Sequence, residues 1–405
     1  MGMPPLRIGT DCSGLETPLM ALLNLGVVFA HIFACDCDAY VKRTIKSNFP
    51  PEKIYDDITT RNNKNTPKVD LYIAGFPCQP FSQAGKQRGF GDEKGRGTIF
   101  WQVRDYINAQ RPTVFVLENV SRLVTMQGGT YYNDIMESLE GIGKKTYTIQ
   151  SKVINTADHG IPHNRERVYI IGIRRDADNG SFSFPEPVKA VRIEAFLDPK
   201  PSKVNKTLLP PRSATTARRN AKLALRRIRN EGNNPFAAPY ICDIDSTTPR
   251  SKHWLGRSPC ITCNRAGGRA FWVTDRARRL TMVETMKLQG ITPPKNGFKV
   301  AVPVGQLARQ IGNAMSVNVL ERLLVRILPA AGLVKASKLQ DRWEQAAAKN
   351  RRPRSCRLKR LKSVFGHGGG REGSGSKPIN GHTAMTIAER QARWRAAKRQ
   401  KSSKA

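Results

Sequence analysis

A strand-forming run that stops abruptly on glycine and proline constrains this chain more than any other feature. Residues 69–74 are strand formers, and residues 75–77 (Gly-Phe-Pro) interrupt them directly before Cys78. This pattern predicts a loop carrying Cys78 at the C-terminal end of a strand, which is where open α/β sheets place their chemistry. A thiol exposed on a tight turn is a good nucleophile. The alternative is a buried, inert cysteine, and the polar neighbours Gln79 and Ser82 argue against it.

The charge of the chain indicates a polyanionic partner. Its 405 residues include 68 Lys or Arg and 32 Asp or Glu, which gives a formal net charge of +36. Residues 335–405 contribute +16 and the rest of the chain +20, so the part expected to fold is basic in its own right. Such an excess is typical of nucleic-acid-binding proteins.

Other classes of protein fit the composition poorly. Residues 1–5 lead directly into a predicted strand rather than a signal peptide, and the chain has no apolar run long enough to span a bilayer. The 8 cysteines lack disulfide-framework spacing, which favours a reducing compartment. The Cys260–Cys263 pair is an isolated CxxC with only Cys242 nearby, so we expect no metal site.

The first strand and turn resemble the entry to a nucleotide site. Residues 6–10 predict a strand, residues 11–17 a small-residue turn, and Pro18 the first position of a helix. Free backbone N–H groups at such a helix start bind anions. The turn lacks the GxGxxG pattern, which makes a nicotinamide enzyme a distant alternative.

Acidic residues follow the next two predicted strands. Residues 27–35 form the second strand and end at Asp36, about twenty residues after the first turn, where a carboxylate can accept hydrogen bonds from ribose hydroxyls. Asp57 follows a further short strand and can face an adenine amino group. Asp36 or Asp38 could equally cap a helix. Together these residues predict an adenosine site.

Glu118 follows a predicted buried strand, residues 113–117. If that strand neighbours the one before Cys78, the Glu118 carboxyl lies beside the thiol and can protonate a ring nitrogen of a substrate. The alternative is a solvated or helix-capping glutamate. The interpretation of Glu118 as an acid therefore depends on the position of the Cys78 loop beside it.

Two arginines open a later strand. Arg165 and Arg167 are two residues apart, which predicts that they project to the same face and suit a carbonyl oxygen and a phosphate. His159 and His163 precede them and could be imagined as partners of Cys78 in a cysteine hydrolase. Structural roles for these loop histidines are the preferred interpretation.

The remaining segments suggest a lid, a DNA-contacting insertion and closing helices. Residues 83–97 are rich in Gly, Lys and Arg and could close over a substrate. Residues 213–230 predict a strongly basic helix that contacts DNA phosphates, although a solvated surface is the usual role of such a run. Further helices are predicted at 98–109, 281–289 with a capping box, 304–311, 317–328 and 384–404, the last after a Gly-rich linker at 366–375.

Together these segments resemble the DNA (cytosine-5)-methyltransferase family. The resemblance covers about the first 330 residues, apart from the stretch between 172 and 259. GFPCQPFSQAGKQRGF and ENV at this spacing are its most specific parts. In order, the matching motifs are residues 11–17, Asp36, residues 57–58, 75–87, 118–120, 165–167, 279–281 with 289–290, and 312–313.

The resemblance implies a fold and a domain organisation. The fold is α/β, a Rossmann-like S-adenosylmethionine-dependent methyltransferase fold whose mostly parallel sheet carries helices on both faces. It implies a first catalytic part at 1–180, a target recognition domain at 181–274 and a returning catalytic part at 275–334. A basic, largely disordered tail follows at 335–405. The first motif departs from the family pattern, since Cys12 and Glu16-Thr17 replace an aromatic residue and consecutive glycines. Glu16 is then placed to meet the methionine ammonium. His163 stands where the family usually has Gln.

The resemblance also implies the reaction: transfer of a methyl group from S-adenosyl-L-methionine to carbon 5 of a flipped-out cytosine in duplex DNA. Cys78 would add to carbon 6, Glu118 would hold and protonate ring N3, and Arg167 would bind the O2 carbonyl with support from Arg165. The implied cofactor contacts are Asp11, Cys12, Ser13, Gly14, Leu15, Asp36, Cys37, Asp57, Ile58, Gly75, Pro77, Asn313 and Ala314. The expected DNA contacts are Ser82, Gln83, Lys86, Arg88, Arg218, Arg219, Arg226 and Arg227.

Two alternative functions are compatible with the predicted fold. An RNA cytosine-5 methyltransferase would share the fold, although family members that act on transfer RNA resemble PPCQPFTR where this chain has Phe76 and Ser82-Gln83. A non-catalytic DNA-binding protein would not need the set of Cys78, Glu118 and the two arginines. We expect a monomer without a membrane partner, and a nuclear location in a eukaryote or a cytoplasmic, nucleoid-associated one otherwise.

Overall fold

The computed structural model describes residues 4–77, 99–143, 145–200, 209–293 and 297–354. The predicted nucleophile loop lies outside them, and so do the linker at 366–375 and the basic helix at 384–404. The site predictions that fall on this loop are Cys78, Ser82, Gln83, Lys86 and Arg88. Within the described ranges, no helix is long and apolar enough to cross a membrane.

A seven-stranded sheet forms the centre of the fold. Its strands are β1 (Leu6–Asp11), β2 (Phe29–Cys35), β3 (Lys53–Tyr55), β4 (Leu71–Ala74), β5 (Val114–Val120), β6 (Tyr147–Asn155) and β7 (Glu166–Arg174). Their order is β3-β2-β1-β4-β5-β7-β6. β7 runs antiparallel to both of its neighbours, β5 and β6. The chain reverses its direction of progress between β1 and β4, which places a ligand crevice at the carboxyl ends of these two strands.

Helices cover both faces of the sheet. The α-helices of the described residues are α1 (Thr17–Asn24), α2 (Ala39–Asn48), α3 (Ile99–Gln110), α4 (Thr130–Glu140), α5 (Thr215–Asn230), α6 (Met282–Leu288), α7 (Val304–Asn313), α8 (Val317–Ala330) and α9 (Arg342–Ala348), of which α1 and α8 lie on one face of the sheet and α3 and α4 on the other. Alternate residues of β4 face opposite ways: Leu71 and Ile73 pack with α1 and α8, whereas Tyr72 and Ala74 pack with α3 and α4. A parallel sheet buried on both faces explains why these strands are apolar almost throughout.

The predicted fold class is therefore confirmed, with one important shift. The strand expected to end at residue 117 continues to Val120, because β7 pairs with it antiparallel as far as Val120 and Arg167. Glu118 accordingly lies within β5, on the face shared with Val114 and Val116, instead of on a loop after it.

A smaller antiparallel sheet forms the second part of the structure. It consists of β8 (Tyr240–Cys242), β9 (His253–Leu255), β10 (Trp272–Val273) and β11 (Arg278–Arg279), in the order β11-β10-β8-β9. The apolar face of α5 packs against it, with Ala221, Leu225 and Ile228 in contact with the strand residues. The predicted basic helix is therefore present, and its alanine-rich face is the one buried against the small sheet.

The predicted domain boundaries need two corrections. β11 belongs to the small sheet, so that unit extends past residue 274. The tail does not begin at 335 either, because α9 folds onto α8. The Asp341 carboxylate caps α9 and pairs with Arg322, and Glu321 pairs with Arg342.

Trp343 is the main apolar anchor of α9, and we expect its loss to be costly. The Trp343 indole is buried, donates a hydrogen bond from Nε1 to Glu321 at 3.0 Å, and lies against Gly160, where a Cβ would sit 2.6 Å from the ring. Trp343→Ala should lower the free energy of unfolding by about 3 kcal/mol. Chemical denaturation measures this, and Glu344→Ala, an exposed change on the same helix, should shift it by less than about 0.5 kcal/mol. Equal effects of the two variants would refute the docking of α9.

Candidate active site

The loops after β1, β2 and β3 bring the predicted cofactor residues to one edge of the sheet. Cys12 lies close enough to Asp36 and Asp11 for their charges, after burial itself, to raise the pKa of its thiol. Burial and then Asp36 and Asp57 likewise raise the pKa of Cys37. These residues from three separate loops are therefore neighbours, as adjacent parallel strands require.

The turn after β1 has an unusual backbone. Cys12, Gly14 and Glu16 have φ angles of 52°, 63° and 56°. Left-handed residues alternating with ordinary ones turn backbone N–H groups toward a common side, which forms a concave anion site. Glu16 itself is fully buried: its Oε1 accepts a hydrogen bond from Thr10 at 2.8 Å, whereas its Oε2 has no hydrogen-bond partner among the described residues. The expected contact of this carboxyl with an ammonium group stays a prediction.

The Asp11 side chain is not available to a ligand. Its two carboxylate oxygens accept hydrogen bonds from Arg61 at 2.6 and 2.7 Å, and Tyr72 donates a further hydrogen bond. Asp11 and Arg61 are both buried, and a buried ion pair of this kind holds because both partners are satisfied. The Asp11 carboxylate therefore fixes the end of β1, and a cofactor contact of Asp11, which would have to use its backbone, stays a prediction.

The ambiguity between Asp36 and Asp38 is resolved. Asp38 caps α2 by accepting hydrogen bonds from the backbone N–H groups of Tyr40 and Val41. Asp36 is half-buried, and burial raises the pKa of its carboxyl to about 7. Asp57 closes a tight turn by accepting two hydrogen bonds from Thr59, both at 2.8 Å.

The other predicted cofactor residues differ in how far their side chains are exposed. Gly14 and Pro77 are half-buried, and Cys37 and Asn313 are exposed. Ser13, Leu15 and Ala314 are buried, and Ile58 packs in the hydrophobic cluster under α3. Asn313 ends α7, where the sequence had suggested a loop before the next helix. Any contact of these four buried residues with a ligand must therefore be made by their backbone atoms.

Glu118 lies next to the loop that leads toward Cys78. A Cβ built on Gly75 would sit 3.8 Å from Glu118 Oε2 and 2.8 Å from Met315, so the Gly75 loop, β5 and the α7–α8 junction converge here. Asn119 donates a hydrogen bond to the Phe76 carbonyl at 3.2 Å, which ties the loop to β5. The first contact requires a glycine at position 75, and the second requires the side-chain amide of Asn119.

The Glu118 carboxyl is buried and has a cationic partner. Its Oε1 lies 3.1 Å from Nε of Arg167. Burial raises the pKa of Glu118 above its ordinary value, although Arg167 and Arg165 oppose the change. A carboxyl in this state can hold a proton closer to neutral pH than an exposed glutamate, which suits a general acid.

Arg165 does not share the role of Arg167. It is fully buried, and its guanidinium donates to the carbonyls of Ile261, Gly312 and Ala314 at 3.1, 3.2 and 2.7 Å. Arg165 thereby joins the start of β7 to the end of α7 and to the loop at 258–263. This position fits the supporting role that the resemblance implies for Arg165, and that role stays a prediction.

The two histidines have structural positions. His163 is fully buried and its Nε2 accepts a hydrogen bond from the backbone N–H of Ile261 at 2.9 Å. His159 contacts Arg322 through Nδ1 at 2.6 Å, and burial followed by that arginine lowers its pKa to about 4. Both histidines therefore have structural roles, which is the interpretation that the sequence favoured.

Cys260 is a neighbour of the site that the sequence did not predict, since its CxxC pattern suggested only a zinc ligand. Its Sγ lies 3.7 Å from Nη1 of Arg165. Burial alone would raise the pKa of the Cys260 thiol, but Arg165 and Arg167 together bring that pKa below its ordinary value. The one signal in the sequence was the CxxC itself, and its distance of 95 residues from Arg165 hid the contact.

We expect Cys260 to be a reactive thiol. At pH 7, iodoacetamide should alkylate Cys260 several times faster than Cys263, which is equally half-buried but has no such contact with Arg165. The difference should shrink toward pH 9, where ordinary thiols ionise as well. Peptide mass spectrometry of a time course measures both rates. Equal rates at pH 7 would show that the arginines do not activate this thiol.

The outer face of α5 is strongly basic. Arg219 and Arg226 are exposed and line a shallow surface groove with Arg212 and Lys222. The other two predicted DNA contacts are partly engaged: Arg218 donates to the Pro210 carbonyl and Arg227 to that of Ser251, both at 2.7 Å. Arg219 and Arg226 are therefore the better candidates for phosphate contacts.

Solved structures with the same fold are methyltransferases. The Entamoeba histolytica methyltransferase EhMeth superposes with a TM-score of 0.57 at 16% sequence identity, covering 81% of this chain and 99% of that one. The S. pombe Dnmt2 methyltransferase superposes with a TM-score of 0.54 at 15% identity, covering 80% of this chain and 99% of that one. At these identities the likeness establishes the fold alone.

Sequence comparison establishes the family. The Type II methyltransferase M.NgoBI of Neisseria gonorrhoeae is 34% identical over 297 residues, which span 72% of this chain and 84% of the relative. M.HaeII of Haemophilus aegyptius is 31% identical over 301 residues, with the same coverage of 72% and 84%. The sequence model described as C-5 cytosine-specific DNA methylase matches residues 11–328. This chain therefore belongs to the C-5 cytosine-specific DNA methylase family.

Proposed function

We propose that this protein transfers a methyl group from S-adenosyl-L-methionine to carbon 5 of cytosine in duplex DNA through a covalent bond to Cys78. The observation that carries the proposal is the pairing of buried Glu118 with Arg167 beside Gly75. Cys78 follows Gly75 by three residues, so their Cα atoms are at most about 11 Å apart. The thiol, the acid and the arginine can thus meet around one pyrimidine ring.

The proposed chemistry begins with addition to the ring. The Cys78 thiolate forms a bond to carbon 6 of cytosine, and the electrons of the C5–C6 double bond move toward N3. Glu118 donates its proton to N3, so the adduct is a neutral enamine instead of an anion. Arg167 binds the O2 carbonyl and so polarises the ring in the same direction.

Elimination completes the reaction. Carbon 5 of the enamine forms a bond to the methyl carbon as the bond from that carbon to the sulfonium sulfur breaks, and S-adenosyl-L-homocysteine leaves. Carbon 5 then loses its proton to a base, and the C6–sulfur bond breaks to release the Cys78 thiolate. N3 returns its proton to Glu118, which restores both the aromatic ring and the acid.

The edge of the sheet fits S-adenosyl-L-methionine in its donor set. The concave backbone at Cys12 and Gly14 suits a carboxylate, and Asp36 suits ribose hydroxyls, while Asp57 lies near Cys37 for the adenine end. When bound, the group supplies an electrophilic methyl carbon. Burial is the main cause of the raised pKa of Asp36, and hydroxyl donors would relieve it.

A stacked cytosine is out of reach of all these groups, so we propose that the base is flipped out of the duplex at a cost of a few kcal/mol. The predicted lid at 83–97 would close over it. Labelled methyl groups from S-adenosyl-L-methionine should then appear in duplex DNA and not in transfer RNA. The reverse preference would favour the RNA methyltransferase alternative.

Phosphate contacts from α5 predict a specific salt response. Replacing Arg219 and Arg226 together by alanine should reduce the slope of log affinity against log salt by about 1.8, because each phosphate contact contributes about 0.9. Filter binding to one duplex over a salt series measures the slope. Arg192→Ala, an exposed change outside α5, serves as the control. An unchanged slope would remove α5 from the DNA interface.

A further inference from the structure

The turn at Asp57, which we assign to the adenine end of the cofactor site, follows a strand that the sheet holds only briefly. β3 lies at the edge of the seven-stranded sheet and pairs with β2 over three residues, Lys53–Tyr55. A segment with few backbone hydrogen bonds opens more readily than a central strand. The sheet alone therefore leaves the position of this turn relative to β1 weakly determined.

An arginine of the same segment reaches back to β1. Nη1 and Nη2 of Arg61 donate hydrogen bonds to Oδ1 and Oδ2 of Asp11, at 2.6 and 2.7 Å. The intervening residues form a compact turn, since Thr59 donates to the Asp57 carboxylate and Thr60 to the Asp57 carbonyl. Because guanidinium and carboxylate are both planar, a pair with two hydrogen bonds fixes orientation as well as distance. The ion pair thus holds the Asp57 turn at a defined place relative to the end of β1.

Aromatic rings determine the path of the Arg61 side chain. Its Cζ lies 5.2 Å from the ring centroid of Phe33, 5.3 Å from that of Tyr55 and 5.3 Å from that of Tyr106. These rings belong to β2, β3 and α3, and Arg61 is buried among them. Aromatic faces attract a cation and stabilise it where water is excluded. Arg61 therefore passes along the α3 face of β2 in an environment that suits a planar guanidinium better than an ammonium.

Asp11 is the other end of this connection and lies directly before the concave turn. Cys12 follows it and Gly14 lies two residues further, both with left-handed backbone angles. Tyr72 of β4 donates another hydrogen bond to Asp11, so the carboxylate is held from two sides. One ion pair between buried side chains therefore links the concave turn to the Asp57 turn.

Other contacts of the segment after β3 lead to helices. Asp56 forms an ion pair with α2, and Gln110 of α3 donates hydrogen bonds to the carbonyls at 63–64. In the part of the chain that the structure describes, Arg61 is the one side chain of residues 56–61 that hydrogen-bonds to β1. The distance between the two turns thus depends on this side chain.

We propose that Arg61 is a positioning residue for S-adenosyl-L-methionine, because its ion pair with Asp11 sets the spacing between the turn for the amino-acid end and the turn for the adenine end. A ligand that spans two contact regions at a matched spacing gains affinity, since the second contact forms within the complex. A ligand that uses only the adenine end gains nothing from the spacing. The inference rests on the proposed function and adds to it the residue that makes the two ends one site.

Two ligands separate this role from a general effect on folding. S-adenosyl-L-homocysteine carries both the adenosine and the amino-acid end, whereas 5′-methylthioadenosine lacks the amino-acid end. Arg61→Lys keeps the charge but loses the planar pair of donors. In calorimetric titrations of the full-length chain, Arg61→Lys should raise the Kd of S-adenosyl-L-homocysteine roughly tenfold or more and change that of 5′-methylthioadenosine by less than about twofold. Arg43→Lys, the same change at an exposed position of α2, should alter neither Kd.

A second variant changes the same contact from its other end. Asp11→Asn keeps the size of the side chain but leaves one acceptor oxygen for Arg61, so it should produce the same difference between the two ligands. Combining it with Arg61→Lys should raise the Kd of S-adenosyl-L-homocysteine by less than about twofold beyond the larger single effect, because both changes remove one contact. Losses that multiply would overturn the proposal, because they would show that the two residues act separately.

The outcomes distinguish this inference from the function on which it rests. A wild-type chain that binds neither S-adenosyl-L-methionine nor S-adenosyl-L-homocysteine contradicts the proposed function. If the wild-type chain binds S-adenosyl-L-homocysteine and the Arg61→Lys variant binds it equally well, the role of Arg61 is overturned and the function stands. A variant that loses affinity for both ligands to the same extent also overturns that role, since such a result shows an effect on the fold alone.

Discussion

Replacing Cys78 by alanine is expected to lower the rate of methyl transfer by at least about four orders of magnitude. Carbon 5 of cytosine is a poor nucleophile in the intact ring, and without addition at carbon 6 the enamine does not form. Removal of an attacking side chain in other enzymes that use covalent catalysis has effects of this size or larger. Single-turnover transfer of a labelled methyl group to duplex DNA measures the loss.

The control for this variant is another cysteine. Cys356→Ala changes the same residue type in the basic tail and should leave the rate within a factor of about two. Cys78→Ala should also retain cofactor binding, because the concave turn at Cys12 and Gly14 is untouched. A Cys78→Ala chain that methylates DNA at the wild-type rate would rule out the covalent route.

Replacing Glu118 by glutamine is expected to slow the chemical step about 100-fold to 10,000-fold, which is the usual contribution of a general acid. Glutamine keeps the size of the side chain and can still donate a hydrogen bond to N3, but it cannot deliver a proton. The measured quantity is kcat for methyl transfer. Glu137→Gln, an exposed change on α4, should leave kcat unaffected.

The pH dependence gives a second test of Glu118. Because burial raises the pKa of this carboxyl, the group stays protonated to a higher pH than an exposed glutamate does. The proton is available below that pKa and is lost as the pH rises through it, so wild-type kcat should fall on the alkaline side. In Glu118→Gln this particular fall should disappear. A wild-type profile that rises through the same range would contradict the role of Glu118 as an acid.

Local sequence patterns predicted the central sheet well. Apolar runs such as residues 113–117 are typical of strands that are buried on both faces of a mostly parallel sheet, and each is followed by glycine, proline or an acid at the functional edge. The capping box of α6 at Thr281 and Glu284 was also predicted and is present. Such patterns depend on neighbours a few residues apart, which is why they can be read along the chain.

The sequence does not reveal partners that are distant along the chain. Arg61 lies fifty residues after Asp11, and no local pattern predicts that they form an ion pair. Strand alternation groups Arg165 with Arg167, whereas three carbonyls from remote segments determine the direction of the Arg165 side chain. α9 was placed in the tail because its composition is basic, and only the contacts of Trp343 with Glu321 and Gly160 show that it folds.

Covalent trapping is the most direct measurement of the central claim. In duplex DNA containing 5-fluorocytosine, fluorine replaces the proton that must leave carbon 5, so elimination stops and the protein should stay bonded to the base. With S-adenosyl-L-methionine present, we predict a complex that survives denaturation and maps to the peptide containing Cys78. A chain that methylates ordinary DNA but gives no denaturation-resistant complex, or gives one equally after Cys78→Ala, would contradict the account.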